Sequence, residues 1–374
     1  MKKMIVFGLA ATLALGACKK KENVLTLGEF ASLTGTTATF GQSMNEGIQL
    51  ALEELNKSGG LLGKQVEIIV EDDQSRPEEA RTAAVKLIKQ DQVIALIGEV
   101  ASSRSLAAAP EAQKSKIPMI SPASTNPKVT QVGDYIFRAC FVDTFQGSSM
   151  ARFAYEDLGL RKVAILYDIK NDYSVGLVEF FEKTFKELGG EIVDKQSYSE
   201  GDIEFRAQLT TIKNKDPQAI YVPGYYTEVG LIARQARDLG LNVPLMGGDG
   251  WDSPKTLEIG GATVEGSYFS NHYATDDPTP IVQDFIKKYQ AKYNKVPDAM
   301  AVLGYDAANI MFDAIKRANS TEGPKIRDAL AATTGLQGVT GSITIDADRN
   351  AKKRIVILKI EGGKVKFHKA LEPS

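Results

Sequence analysis

Along the chain, short apolar runs alternate with longer segments whose apolar residues recur every three or four positions. The short runs include VEIIV (66–70), VIALIG (93–98), KVAILYD (162–168) and AIYVPG (219–224). Their length and content of β-branched and aromatic residues predict buried strands. Between them, Met44, Ile48, Ala51, Leu52 and Leu55 share one face of a helix over 42–58, which Gly59-Gly60 ends. Pro77 opens a second helix in which Ala80, Ala84, Leu87 and Ile88 share a face. Further helices are predicted over 174–188, 204–214, 228–239, 280–293 and 299–318, with a short one after Pro324. GSITID (341–346) and RIVILKI (354–360) predict two closing strands.

All-apolar strands alternating with helices predict an α/β fold with parallel sheets covered on both faces. The rhythm runs once to about residue 140 and then starts again, which predicts two lobes. Open parallel sheets bind ligands beyond the carboxyl ends of their strands, so the residues that follow each strand are the candidate site. In the first half these are SLTGTTATFGQ (32–42), Glu99 to Arg104, and the stretch SPASTNP (121–127), whose prolines bar a central strand. Hydroxyls, an amide and helix N-termini suit an anion such as a carboxylate. In the second half they are Lys170 to Tyr173, Tyr225-Tyr226 and Asp249-Gly250-Trp251. Tyrosines and an acid between glycines suit an ammonium and an apolar side chain. A zwitterion with a modest side chain fits between the two sets.

The first residues change the setting. Lys2 and Lys3, an apolar run from Met4 to Leu15 and then Leu15-Gly16-Ala17-Cys18 form a secretory signal peptide over 1–17. Its end resembles the lipobox of bacterial lipoproteins, which implies that Cys18 carries the lipid and that KKKEN is a solvated tether. The expected location is the bacterial cell envelope, outside the cytoplasm, anchored to the membrane through lipid. With Cys18 lipidated only Cys140 remains, so no intramolecular disulfide is expected. The chain is near neutral, with 45 basic and 47 acidic residues, and nothing suggests a nucleic-acid partner. After the leader no run is long enough to cross a bilayer.

Six segments in one order carry a wider resemblance. They are NEGIQLALEELNKSGGLLGKQVEIIVEDDQSRPEEA, IGEVASS, ISPASTNP, YIFRACFVDTFQG, PGYYTEVGLIARQARDLGL and MGGDGW. The chain resembles the type I periplasmic solute-binding proteins of the Leu/Ile/Val-binding group, the capture subunits of ABC importers for amino acids. The resemblance implies two Rossmann-like lobes joined by three hinge strands, with the ligand in the cleft. Lobe 1 is expected over 24–142 and 274–345, and lobe 2 over 143–273 and 346–374. It implies that Ser102 bonds the ligand carboxylate and that Ala123 and Thr125, with Ser124 between them, bind carboxylate and ammonium. Asp249 would pair with the ammonium beside Tyr225, Tyr173 would line the cleft, and Phe40 would meet the side chain. An ABC permease is the implied partner, no cofactor or metal is expected, and the protein is expected to be a monomer. Relatives often join the loop near Ser75 to that near Ala101 by a disulfide; this chain has neither cysteine.

Each residue has a plainer reading. Ser102 could cap a helix, Ser124 and Thr125 could form a turn, Asp249 could be a turn acid, and Phe40 and Trp251 could be packing. An enzyme is disfavoured: there is no nucleophile elbow, P-loop or paired Cys/His spacing, and only His272 and His368 are available. A binding protein or sensor for another small molecule, such as an amide, an aromatic acid or a nucleoside, is the alternative.

Overall fold

The computed structural model describes residues 24–372, so the leader and Cys18 lie outside the described residues. Among the described residues, fifteen strands run in chain order. They are β1 (Val24–Ala31), β2 (Gln65–Asp72), β3 (Leu96–Ile97), β4 (Met119–Ser121), β5 (Ile136–Arg138), β6 (Lys162–Asp168), β7 (Glu191–Tyr198), β8 (Ala219–Tyr221), β9 (Leu245–Gly247), β10 (Tyr268–Asn271), β11 (Leu336–Gly338), β12 (Gly341–Ile345), β13 (Ala351–Lys352), β14 (Ile355–Glu361) and β15 (Lys364–Leu371). Twelve α-helices separate them: α1 (Ala38–Lys57), α2 (Pro77–Lys89), α3 (Ser102–Ser115), α4 (Lys128–Gln131), α5 (Asp143–Arg152), α6 (Asp172–Glu187), α7 (Arg206–Lys213), α8 (Tyr226–Asp238), α9 (Pro254–Gly260), α10 (Pro280–Tyr293), α11 (Ala299–Ala318) and α12 (Gly323–Ala331).

The described strands form two large sheets, one per lobe, and a small third sheet of β11, β12 and β13. The first is parallel, in the order β2-β1-β3-β4-β5. The second has the order β15-β14-β10-β9-β8-β6-β7 and is parallel except for β14 and β15, which run antiparallel along one edge. Helices cover both faces, as the apolar strands require. The first core joins Leu27 and Ile97 of its sheet to Ile48 of α1 and to Leu303, Met311, Ile326 and Leu330 of the late helices. The segment 280–331 therefore returns to the first lobe after β10 has completed its part of the second.

The contact between α1 and α11 needs glycine. A Cβ on Gly47 would lie 1.9 Å from the Ala301 carbonyl oxygen. The backbones themselves touch there, a feature that no periodicity reveals.

Three expectations are revised. VIALIG predicts a six-residue strand, but only Leu96–Ile97 is regular strand. The backbone nonetheless stays in the sheet, with Ile94 N donating to Thr26 O at 3.0 Å. The exposed edge strand β15 and the short strands β11 and β13 escape the pattern, because lysines and short pairings mask their alternation, whereas GSITID forms β12 as expected, in a small sheet between β11 and β13. The resemblance places residues 346–352 in the second lobe. They stay with the first: Ala351 pairs with Ile345, and Arg138 N donates to Arg349 O at 3.2 Å. The buried Lys353 then approaches Asp306 of α11 at 3.8 Å, so the last crossing falls at Lys353–Arg354, just before β14. Among the described residues no helix is long and apolar enough to cross a membrane.

Candidate functional site

The carboxyl ends of both sheets face one cleft, and the cleft is closed. Thr39 Oγ1 lies 3.0 Å from Ser253 Oγ. Ser103 Oγ donates to Asp172 Oδ2 at 2.9 Å and accepts from Asp172 N at 3.0 Å. Asn126 Nδ2 donates to Asp172 O at 2.7 Å. Each of these bonds joins one lobe to the other.

On the first-lobe wall, β3 leads to α3 and β4 leads to the loop 122–127. Ser102 is buried and begins α3, whose cap position belongs to Ala101. Its hydroxyl accepts from Asn126 N at 3.2 Å and so ties the two loops together. Ser124 has a saturated hydroxyl: it donates to Glu99 O at 2.9 Å and lies 2.7 Å from Ser105 Oγ. Among the candidates for ligand contact, Ser124 is therefore a support of the loop. Ala123 and Thr125 are buried beside it. Thr125 Oγ1 has no well-formed hydrogen bond, although Asp143 stands close by. A buried hydroxyl without a partner is uncommon and suits a group that a ligand would satisfy.

The loop itself is held from below by Arg138, which is fully buried. Its guanidinium donates to the carbonyls of Ser124 and Asn126, both at 2.7 Å. Sequence reasoning missed this residue, although a lone arginine inside the apolar run YIFRAC was the signal.

On the second-lobe wall, Asp249 follows β9 in a short 3-10 turn. It is 2% exposed and both carboxylate oxygens are engaged. Tyr173 Oη donates to Oδ1 at 2.9 Å, and His272 Nε2 lies 2.9 Å from Oδ2. Gln146 Oε1 accepts from Asp249 N at 3.0 Å. Gly248 makes the Tyr173 contact possible, since a Cβ there would sit 2.3 Å from the tyrosine hydroxyl. Tyr173 is placed by the start of α6, where Asn171 caps the helix and accepts from Tyr173 N at 3.1 Å.

Aromatic rings line the space between the walls. Tyr173 and Tyr225 stack with centroids 5.3 Å apart and planes 10° from parallel. Phe40 of the first lobe meets Tyr225 edge-on at 5.5 Å and Tyr226 at 4.9 Å. Tyr225 Oη has no well-formed hydrogen bond, with Asn171 the polar side chain nearby. Trp251 is not part of this lining: its Nε1 donates to Val222 O at 2.9 Å inside the second-lobe core.

Burial sets the electrostatics. It pushes the Asp143 carboxyl up to about 8, and the charge of Asp249 pushes the same way. It holds His272 below the ordinary histidine value despite Asp249 beside it. Burial also pushes the Cys140 thiol up to about 12, so that thiol is inert.

The rim without a disulfide has another connection. Ser75 Oγ donates to Thr34 O at 2.9 Å and accepts from Thr37 N at 3.2 Å. Thr37 Oγ1 accepts from Arg104 at 2.7 Å, and Arg104 reaches Glu200 of the other lobe at 3.0 Å. Sequence reasoning placed Arg104 after a strand but gave neither it nor Glu200 a role. Their signals, an arginine in a small-residue helix and an acid in a loop, are too common to stand out.

This geometry is that of a two-lobed binding protein, with a polar wall facing an acid and aromatic rings across a closing cleft. The chain belongs to the periplasmic binding protein family, whose description matches residues 24–364. It is 30% identical over 322 residues to the leucine-, isoleucine-, valine-, threonine- and alanine-binding protein of Pseudomonas aeruginosa, covering 86% of this chain and 85% of that one. The crystal structure of a leucine-binding protein, LivK, from Thermotoga maritima superposes with a TM-score of 0.90 at 42% identity, covering 93% of this chain and 99% of that one. The branched-chain amino acid transporter substrate-binding protein LivJ of Streptococcus pneumoniae, solved with isoleucine, gives a TM-score of 0.89 at 34% identity, covering 94% of this chain and 100% of that one.

Proposed function

We propose that the protein captures a free amino acid with an aliphatic, branched side chain outside the cytoplasm and delivers it to the permease of an ABC importer. The observation that carries this reading is Asp249, a buried acid at the cleft opposite the Ser102–Thr125 wall. A buried carboxylate needs a positive partner, and an α-ammonium supplies one. The α-carboxylate then falls to Ser102, Ala123 and Thr125 at the N-terminus of α3, and the side chain to Phe40, Tyr173 and Tyr225. Relatives named for leucine, isoleucine and valine support the choice of side chain. The anchor is a lipid on Cys18, and the working unit is a monomer.

Thermal-shift screening of ligand-stripped protein against the twenty amino acids, uncharged amides and aromatic acids tests the reading. A ligand at a hundred times its dissociation constant adds about 2.7 kcal/mol of stability. Leucine, isoleucine and valine are expected to give the largest shifts. Larger shifts from uncharged amides or aromatic acids would overturn it.

A further inference from the structure

The acid at the cleft is not held by its own lobe's tyrosine alone. His272, at the end of β10, lies 2.9 Å from Asp249 Oδ2 and is 2% exposed. Its ring stacks on Phe141, with centroids 3.8 Å apart and planes 16° from parallel. Phe141 follows β5 where the chain first leaves the first lobe, and His272 lies where the chain returns to it. One ring pair therefore ties two hinge crossings to the carboxylate. The other imidazole nitrogen, Nδ1, has no partner. A carboxylate accepts hydrogen bonds, so Nε2 donates; Nδ1 has no acceptor for a second proton, and burial favours the neutral ring.

We propose that His272 is the positioning residue of Asp249 and that its protonation competes with the amino acid, so that capture weakens in acid. This rests on the reading that Asp249 meets the ammonium. A protonated His272 and a ligand ammonium would place two cations on one carboxylate in a closed, dry site, which is unfavourable. The neutral ring instead donates one bond and leaves the negative charge to the ligand. In the open protein water reaches the ring, its desolvation is relieved, and Asp249 favours the charged form. Ligand binding therefore expels a proton from His272.

Two charged groups act on the same ring, Asp249 from the second lobe and Lys353 from a hinge segment; Asp143 and Cys140 feel the charge of Asp249, and Asp252 bonds the neighbouring Asn271. Their titration is common to the native protein and to a His272 variant, so the difference between the two isolates the imidazole.

The test is calorimetry with L-leucine from pH 5 to 8 on the native protein, His272→Gln and His272→Phe. The native dissociation constant is expected to rise as pH falls from 8 to 5, with a slope approaching tenfold per pH unit at the acid end. Glutamine keeps an N–H for Asp249 without titrating, so His272→Gln should bind nearly as well at pH 8 and show a flatter profile. Phenylalanine keeps the stack and loses the donor, so His272→Phe should bind more weakly at every pH. The chain has only two histidines, so ring nitrogen NMR of the native protein follows His272 directly, with His368 as the internal reference. Leucine should move the His272 titration to lower pH. Equal slopes in the native protein and His272→Gln, or a His272 titration that leucine does not move, would overturn the inference while leaving the amino-acid reading intact. An Asp249→Asn protein that binds leucine as tightly as the native one would overturn both.

Discussion

The guanidinium of Arg104, in the first lobe, meets the carboxylate of Glu200, in the second, at 3.0 Å, and the arginine is almost wholly buried. Glu200 also accepts from Thr36 Oγ1, so both partners of the pair touch the loop that precedes α1. The bond crosses the cleft at the rim where relatives often carry a disulfide within one lobe. It joins the two lobes directly, close enough to Tyr225 for its charges to act on that ring.

A latch of this kind acts on the rate of opening. Glu200→Gln is expected to weaken ligand binding by roughly 1–2 kcal/mol, almost all of it as faster dissociation. Stopped-flow traces with an unchanged off-rate would remove the pair from the closing mechanism. Small-angle scattering on the native protein should show compaction on adding ligand.

Asp249→Asn keeps the shape of the side chain and an oxygen to accept from Tyr173 Oη, but removes the charge and one of the two acceptor oxygens. A loss of about 2–5 kcal/mol of amino-acid binding is expected, as for other buried charge pairs cut at one partner. Wild-type affinity, measured by calorimetry, would take the ammonium away from Asp249.

Glu29 lies in β1, is fully buried, and neither carboxyl oxygen has a partner. Burial pushes its carboxyl from 4.5 up to about 8. The folded state therefore holds a proton that the unfolded state releases, and stability from this group is lost as pH rises between those values. Its share of the loss is on the order of a few kcal/mol. Glu29→Gln should abolish that share, leaving the variant close to native at pH 4.5 and more stable than native near pH 8. Denaturant melts at the two pH values that show the same pH trend in both proteins would refute it.

Gly47→Ala should cost roughly 2–3 kcal/mol of stability, because the new methyl group meets the backbone carbonyl of Ala301 rather than a movable side chain. The relevant measurement is the urea midpoint. A variant as stable as native would mean that α1 and α11 separate at little cost.

Cys18→Ser should release the protein from the membrane fraction and leave amino-acid affinity unchanged, because the tether precedes the folded part. Retention in the membrane fraction would argue against the lipid anchor.

The doubled strand–helix rhythm was readable because burial on both sheet faces demands continuous apolar strands, and helix faces demand a 3.6-residue repeat. Strand-end position then drew attention to Ser102, Thr125, Tyr173, Tyr225 and Asp249 without any coordinates. The sequence alone thus determined two α/β lobes and the chemical character of each wall. The pairing of Asp249 with His272, 23 residues away, was left to the tertiary structure. So were Arg138 under the loop, Arg104 against Glu200, and the return of residues 346–352 to the first lobe. The reason is physical. Local patterning records which face of an element is buried, whereas a polar contact between distant segments depends on directions and distances that exist only once the lobes have packed and the cleft has closed.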